Sequence, residues 1–282
     1  MSWTVVVSTY ENPRALASCL AALSRMRGTF ETVVADDGSG PETLAALGRW
    51  APALAPHGRV RHVRHAHDGF RRCRIVNHAI AGCRSERVAF VDGDCLVGSD
   101  YLEAMTRLCA PNRYVAGGAL RLGREASSEL DEAAVARGGH ERVAFRAGVL
   151  VRGRAESKAH YGVLPRALRP LFRRRSGGWM GGCSATWRSL LVAANGWDER
   201  FRYGFDDTDL GHRLQNAGVS PLSARLDALV LHLWHDRPYR DAAVFEASRQ
   251  LALANFRSSE TRAVRGLAEL AGGDAPAWTT LG

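Results

Sequence analysis

Lysine is almost missing from this chain. Among 282 residues Lys158 is the only one, so the net charge of +9 rests almost wholly on arginine. The six cysteines (Cys19, Cys73, Cys83, Cys95, Cys109 and Cys183) include no CxxC pair. That excludes a zinc knuckle or a disulfide framework and points to a reducing compartment. No run approaches 18 apolar residues, so the sequence predicts no membrane span. The opening MSWTVVVSTY lacks a basic region followed by a long apolar stretch, and it reads as a strand that starts at once rather than a signal peptide. Internal repeats and low-complexity segments are also missing. Together these absences describe a cytoplasmic protein.

What is present is a core. Hydrophobic residues make up 46% of the chain and charged residues 24%, ordinary values for a globular protein long enough for one large α/β domain or two small ones. Thr4–Val7 is a β-branched run, followed by the polar turn STYENP and an apolar-periodic segment from Leu16 to Leu23. Glu31–Ala35 repeats the pattern, ends at DDGSG, and leads into a helix over 41–50. Val60–Val63 is a third strand, and a helix follows over 71–81. The apolar VAFV (88–91) is a fourth strand, ending at DGDC. Strands alternating with helices at this spacing predict a doubly wound, mainly parallel sheet, in which ligands bind beyond the carboxyl ends of the strands. Each polar cluster falls at such an end.

From 123 to 176 the pattern loosens, and the segment reads as an insertion or mobile loop over the site. Order returns at GGWMGGCSATWRSLLVAANGWDERF, then a helix from Asp206 to Ala217 and a strand over 228–231 running into HLWH. The expected organisation is a domain over 1–240, with a nucleotide-binding half (1–122), the 123–176 segment and a catalytic half (177–240). A helical tail over 241–282, frayed at its end, completes it.

Four clusters carry candidate chemistry. Asp92-Gly93-Asp94 follows a buried strand; paired carboxylates there suit Mg²⁺ or Mn²⁺, while Asp and Gly are also ordinary turn residues. Asp36-Asp37-Gly38-Ser39 fits a base- or ribose-binding carboxylate equally with a helix-capping turn. His232 and His235 flank Leu233-Trp234 after an apolar strand, one turn apart if the stretch is helical, as metal ligands or as satisfied edge residues. Asp206, Asp207 and Asp209 open a helix, where the dipole favours acids. Three such acids also repel, and repulsion raises a carboxylate pKa toward what a general base near neutrality needs.

In this order, STYENP, DDGSG, DGFRRCRIVNHAI, FVDGDC, GGCSATWRSLLVAANGWDERFRYGFDDTDLGHRLQNAGV and VLHLWHDR resemble the inverting, nucleotide-sugar-dependent glycosyltransferases of the GT-A fold, family 2. The nearest flavour is the branch shared with chondroitin polymerases and β-1,4-galactosyltransferases, and the match runs from Trp3 to His235 with a gap over 123–176. The resemblance implies that Thr9, Tyr10, Glu11, Asp36 and Asp37 line a nucleotide pocket. Phe70 would pack on the base, Arg72 would lie near the ribose or diphosphate, and Asp92 would approach the ribose. Asp94, with His235 and His232, would hold Mn²⁺ or Mg²⁺. Gly181 and Gly182 would let donor sugar and acceptor approach the backbone. Tyr203 would stack on the acceptor, Asp206 would read sugar hydroxyls, and Asp207 would be the catalytic base. Asp209 remains structural.

The chain departs from the pattern on the sugar side. Asp206 stands where relatives carry Glu, Cys183 where Asn is frequent, Tyr203 for Trp and Phe205 for Gly. The implied partners are a nucleotide-sugar donor, with UDP-sugar foremost, and a glycan, lipid-linked or natural-product acceptor. Arg166, Arg169, Arg173, Arg174 and Arg175 suggest peripheral contact with an anionic membrane face. Two other readings compete. A sugar-phosphate nucleotidyltransferase calls for a Gly/Arg/Lys-rich phosphate loop, which STYENP is not. A nucleic-acid binder has only the positive charge in its favour, so no nucleic-acid partner is expected.

Overall fold

Val5, Val6 and Val7 in the first strand are all fully buried, and they face two different cores. Val5 and Val7 pack with Leu16, Leu20 and Leu47, whereas Val6 packs with Ile75, Val76 and Ile80. A strand covered on both faces in this way reads as a continuous apolar run, as this one does. The computed structural model describes residues 3–142, 165, 167–172, 178–236, 241–272 and 275–281.

The strands are β1 (Trp3–Thr9), β2 (Glu31–Asp36), β3 (Val60–Arg64), β4 (Arg87–Asp92), β5 (Cys95–Val97), β6 (Arg113–Ala116), β7 (Leu120–Arg121), β8 (Cys183–Trp187), β9 (Ser220–Ser223), β10 (Val230–His232) and β11 (Ala277–Leu281). The main helices are α1 (Pro13–Ser24), α2 (Pro41–Leu54), α3 (Arg72–Gly82) and α4 (Tyr101–Leu108). They are followed by α5 (Arg124–Ser128), α6 (Glu132–Ala136), α7 (Arg169–Phe172), α8 (Arg188–Ala193), α9 (Asp206–Asn216) and α10 (Ala242–Phe256). Eight strands form one sheet in the order β11-β3-β2-β1-β4-β8-β6-β9, and β5-β10-β7 form a small second sheet. The pairs β1–β2, β1–β4 and β2–β3 are parallel, which gives the doubly wound, GT-A-like arrangement the sequence predicts. Antiparallel β8 lies between β4 and β6.

Register aligns the strand ends. Thr9 lies opposite Asp36 and Ser8 opposite Asp92, so the three turns after β1, β2 and β4 emerge side by side. Cys183 pairs with Val91, which brings Gly181-Gly182 to the same edge. In the small sheet His232 pairs with Cys95, and Leu233 N–H donates to the Asp94 carbonyl at 2.9 Å. A histidine 140 positions away is thereby set beside the DGD turn.

Several expectations change. Residues 123–142 are no loop over the site: α5 and α6 pack on α1, with Ser18 Oγ donating to Leu130 O and Arg25 to Ala136 O, both at 3.0 Å. The apolar Leu130 and Val135 drive that docking. The tail begins as a helix, α10, but its last described residues do not fray; β11 pairs antiparallel with β3, and Arg61 stacks on Trp278 at 4.7 Å. In HLWH only His232 belongs to regular structure, as the last residue of β10, so the two imidazoles do not share a helix. Of the arginine cluster, Arg166 and Arg173–Arg175 lie outside the described residues, and Arg169 is 6% exposed, adding no charge to a surface. Among the described residues no helix is long and apolar enough to cross a membrane.

Candidate active site

Beyond the aligned strand ends opens a cavity of about 640 Å³. Its floor is an arginine among carboxylates. Arg72, in the first turn of α3, donates to Asp92 Oδ1 at 3.0 Å, to Asp206 Oδ2 at 2.9 Å and to Asp207 Oδ1 at 3.4 Å. Ser8 Oγ adds a 2.6 Å hydrogen bond to Asp92 Oδ1. Burial opposes charge on Arg72, yet the three carboxylates hold it firmly protonated.

Asp207 is the distinctive member. Burial, then the neighbouring Asp206, raise its pKa to about 7; Arg72 opposes the rise, Asp92 adds to it, and a Trp197 hydrogen bond opposes it. Its side chain is 30% exposed, into the cavity. Gly181 N–H donates to Oδ2 and Trp197 Nε1–H to Oδ1, each at 3.1 Å. Trp197 is fully buried, and Asn77 of α3 clamps its backbone from both sides, at 2.9 and 2.8 Å. A Cβ on Gly181 would lie 2.6 Å from Asp207 Oδ1, and one on Gly182 would lie 2.7 Å from Asp92 Oδ2. Both glycines therefore leave room first for the protein's own carboxylates.

Asp209, by contrast, is fully buried and paired within the fold, accepting from Arg213 Nε at 2.8 Å and Asn255 Nδ2 at 2.6 Å. It is structural, as the sequence suggested.

On the nucleotide side, Thr9, Tyr10, Glu11, Asp37, Phe70, Asp92 and Gly182 all line the cavity. Tyr10 stacks on His67 with centroids 4.5 Å apart. Glu11, at φ 43, accepts from Gly40 N–H at 2.7 Å and locks the two turns together. Asp37 is oriented by His65 Nε2 at 2.6 Å and by Arg71 N–H at 2.9 Å. Asp36 is the correction: it is fully buried, outside the cavity lining, and accepts from Ser39 N–H at 2.8 Å with His62 Nε2 at 3.0 Å. Burial works to raise its pKa, but the His62 and Ser39 hydrogen bonds hold it below the usual range. It builds the turn that presents Asp37.

Asp94, His232 and His235 form the third group, each offering a ligand atom within 4.8 Å of the others. Asp94 lies 2.9 Å from His235 Nε2 and 3.7 Å from His232 Nε2. The Nδ1 of His235 is 2.8 Å from the Asp236 carbonyl, which can only accept, so Nδ1 carries a proton. The short contact from Nε2 to a carboxylate then calls for a second positive charge between them, a proton or a metal. Adjacent ligands at about 2.1 Å from an octahedral ion stand roughly 3 Å apart, so the set fits a divalent cation. Arg124, 3.6 Å over the Trp234 ring, and Ser127, accepting from Trp234 N–H at 2.8 Å, hold this loop.

Tyr203 meets Phe70 edge to face at 5.5 Å, so the residues expected at base and acceptor sit side by side. Sequence reasoning missed Ser8, Trp197, Met180 and Phe245. Trp197 sits in the quoted NGWDERF, yet nothing in its spacing announces a hydrogen bond ten residues on.

Two outcomes follow from the surroundings of Asp207. Trp197→Phe removes a donor to the ionised form, so the acidic limb of the pH–activity profile should move up by roughly half to one pH unit. Folded Asp207 holds its proton to about pH 7, against an ordinary aspartate value of 3.8. The stability it contributes is thus present below that lower value and lost as pH rises through 7. Asp207→Asn should match wild type in urea unfolding at pH 4 and exceed it by about 1–3 kcal/mol at pH 8.

Comparison with known proteins agrees with this geometry. Residues 4–141 match the family model described as Glycosyl transferase family 2. No curated protein matches the chain. Among solved structures, S. aureus TarS shares the fold at TM-score 0.55 and 14% identity, covering 96% of this chain and 41% of its own. TarS 1–349 in complex with UDP gives 0.54 and 14%, covering 96% and 68%. The same fragment with UDP-GlcNAc gives 0.57 and 13%, covering 96% and 69%. The chain thus spans about two fifths of the longer TarS chain, and at these identities the likeness is one of fold. The segment that carries Thr9 to Glu11, Asp37, Arg72 and Asp94 is thus similar to glycosyl transferase family 2, and the rest of the chain shares the fold of TarS.

Proposed function

We propose that this protein transfers a sugar from a UDP-linked donor to a hydroxyl of a glycan, glycolipid or natural-product acceptor, inverting the anomeric carbon. The observation that carries the reading is one cavity lined both by a carboxylate with pKa near 7, Asp207, and by the separate Asp94–His232–His235 cluster. The TarS 1–349 complexes with UDP and UDP-GlcNAc support a UDP-sugar as donor.

Asp94, His232 and His235 are the residues that would hold Mn²⁺ or Mg²⁺, whose chemistry is to neutralise charge on the departing diphosphate. Tyr10, Asp37 and Phe70 supply the face for the base. Asp207, ionised above pH 7 and fixed by Gly181 and Trp197, takes the proton of the acceptor hydroxyl. The acceptor oxygen forms its bond to the anomeric carbon as the bond to the diphosphate oxygen breaks, the electron pair leaving with the phosphate. Arg72 keeps Asp206 and Asp92 from crowding that proton transfer. A peripheral membrane contact is supported by the apolar Leu168, Leu171 and Phe172, which are 43%, 77% and 57% exposed.

Asp207→Asn should retain Mn²⁺-dependent UDP binding and lose transfer by about 100-fold or more; transfer near the wild-type rate would remove the base assignment. Asp94→Ala or His235→Ala should abolish the Mn²⁺ dependence of UDP affinity in calorimetry, and an unchanged dependence would remove the metal site.

A further inference from the structure

Next to Asp207 the cavity turns apolar. Asp206, the neighbouring acid, is occupied by Arg72 at 2.9 Å and by the Cys73 thiol at 3.8 Å. The other lining residues around it are Met180, Tyr203, Phe205, Phe245 and Thr208. Met180 and Phe245 are each 42% exposed while both line the one cavity, so they present apolar surface to it together.

Two further features show that this wall is built. Phe205 sits at φ 65 and ψ −9, in left-handed backbone that favours glycine and costs a bulky residue about 1 kcal/mol or more. The ring so placed packs on Phe245 at 5.2 Å. Gly204, at φ +82, lies under that same ring, and a Cβ there would meet it at 3.0 Å. Phe245 comes from α10, well beyond the stretch that matches the family model, and Tyr203 bridges it to Phe70 with centroid distances of 6.2 and 5.5 Å.

We infer that the acceptor carries a flat or extended apolar group beside its reacting hydroxyl, and that Phe205 and Phe245 form the subsite for that group. This rests on the reading of Asp207 as base. A bare oligosaccharide could stack a sugar face on one ring but would need hydrogen-bonding partners along its length, and beyond Thr208 this wall offers rings and a thioether. An acyl or isoprenoid chain and an aromatic ring share the chemistry such a wall accepts, burying apolar surface against it.

Calorimetric binding of the methyl, n-octyl and p-nitrophenyl glycosides of N-acetylglucosamine, with and without UDP and Mn²⁺, tests this, the octyl glycoside being kept below its micellar concentration. The octyl or nitrophenyl glycoside should bind at least tenfold more tightly than the methyl one, and whichever leads names a lipid or an aromatic source. Phe245→Ala should erase that preference while UDP affinity stays unchanged, which also reports an intact fold. Phe205→Gly, which relieves the backbone, should erase it too. Equal affinity for all three probes, or a preference that survives both substitutions, would overturn the subsite. A wild-type protein that prefers the apolar glycosides but binds no UDP would overturn the donor reading and leave the subsite standing.

Discussion

One guanidinium against three carboxylates is the constraint on which this site depends. Asp92 ends a strand, Asp206 and Asp207 open a helix more than a hundred residues later, and Arg72, in the first turn of α3, reaches all three. Without a shared cation, three acids this close would keep a proton or move apart. With it, they stay together and their charges are graded. Arg72 is closest to Asp206 and Asp92, and Asp207 is left with the weakest hold, at 3.4 Å. Burial and the Asp206 charge then raise the Asp207 pKa to about 7, and the long Arg72 contact offsets only part of that rise.

The same helix supplies the second restraint. Asn77 clamps the Trp197 backbone, and the Trp197 indole donates to Asp207, so α3 holds Asp207, the proposed base, both by charge through Arg72 and by direction through Trp197. The indole is itself wedged among Phe90 and Trp179, with centroids 4.9 and 5.7 Å away, and has little freedom to turn. Core packing and proton affinity are therefore coupled. A change in the aromatic core reaches the base through one hydrogen bond.

Much of this was legible in the chain. Alternating apolar runs and polar turns gave the doubly wound sheet, and register did the rest by aligning STYENP, DDGSG and DGDC at one edge. That Asp94, His232, His235 and Asp207 gather at one cavity was legible through the family resemblance, and the acid-tolerant helix start pointed to Asp209 as part of the fold. Asp36 could not be told from Asp37, because adjacent strand-end residues point opposite ways and only the three-dimensional register says which faces the cavity. Trp197 was hidden because its ring reads as core and serves as core, with one N–H turned to function. β11 was hidden because a five-residue strand with exposed side chains carries no strong periodicity, and its partner β3 is more than two hundred residues away. The dense run of glycines and acids from 181 to 209 makes sense in the same way. Gly181 is small because a side chain there would strike Asp207 and Arg72.

The late arrival of β11 also bears on how the chain is made. β3 is complete early in synthesis, yet the strand that covers its outer edge comes only after the whole catalytic half. Until then the nascent sheet shows an unpaired row of amides and carbonyls, the kind of edge to which other strands add. Val60, His62 and Val63 are buried, and the partly exposed positions carry Arg61 and Arg64. Two arginines on so short a strand discourage a second copy of the same edge from adding to it during translation.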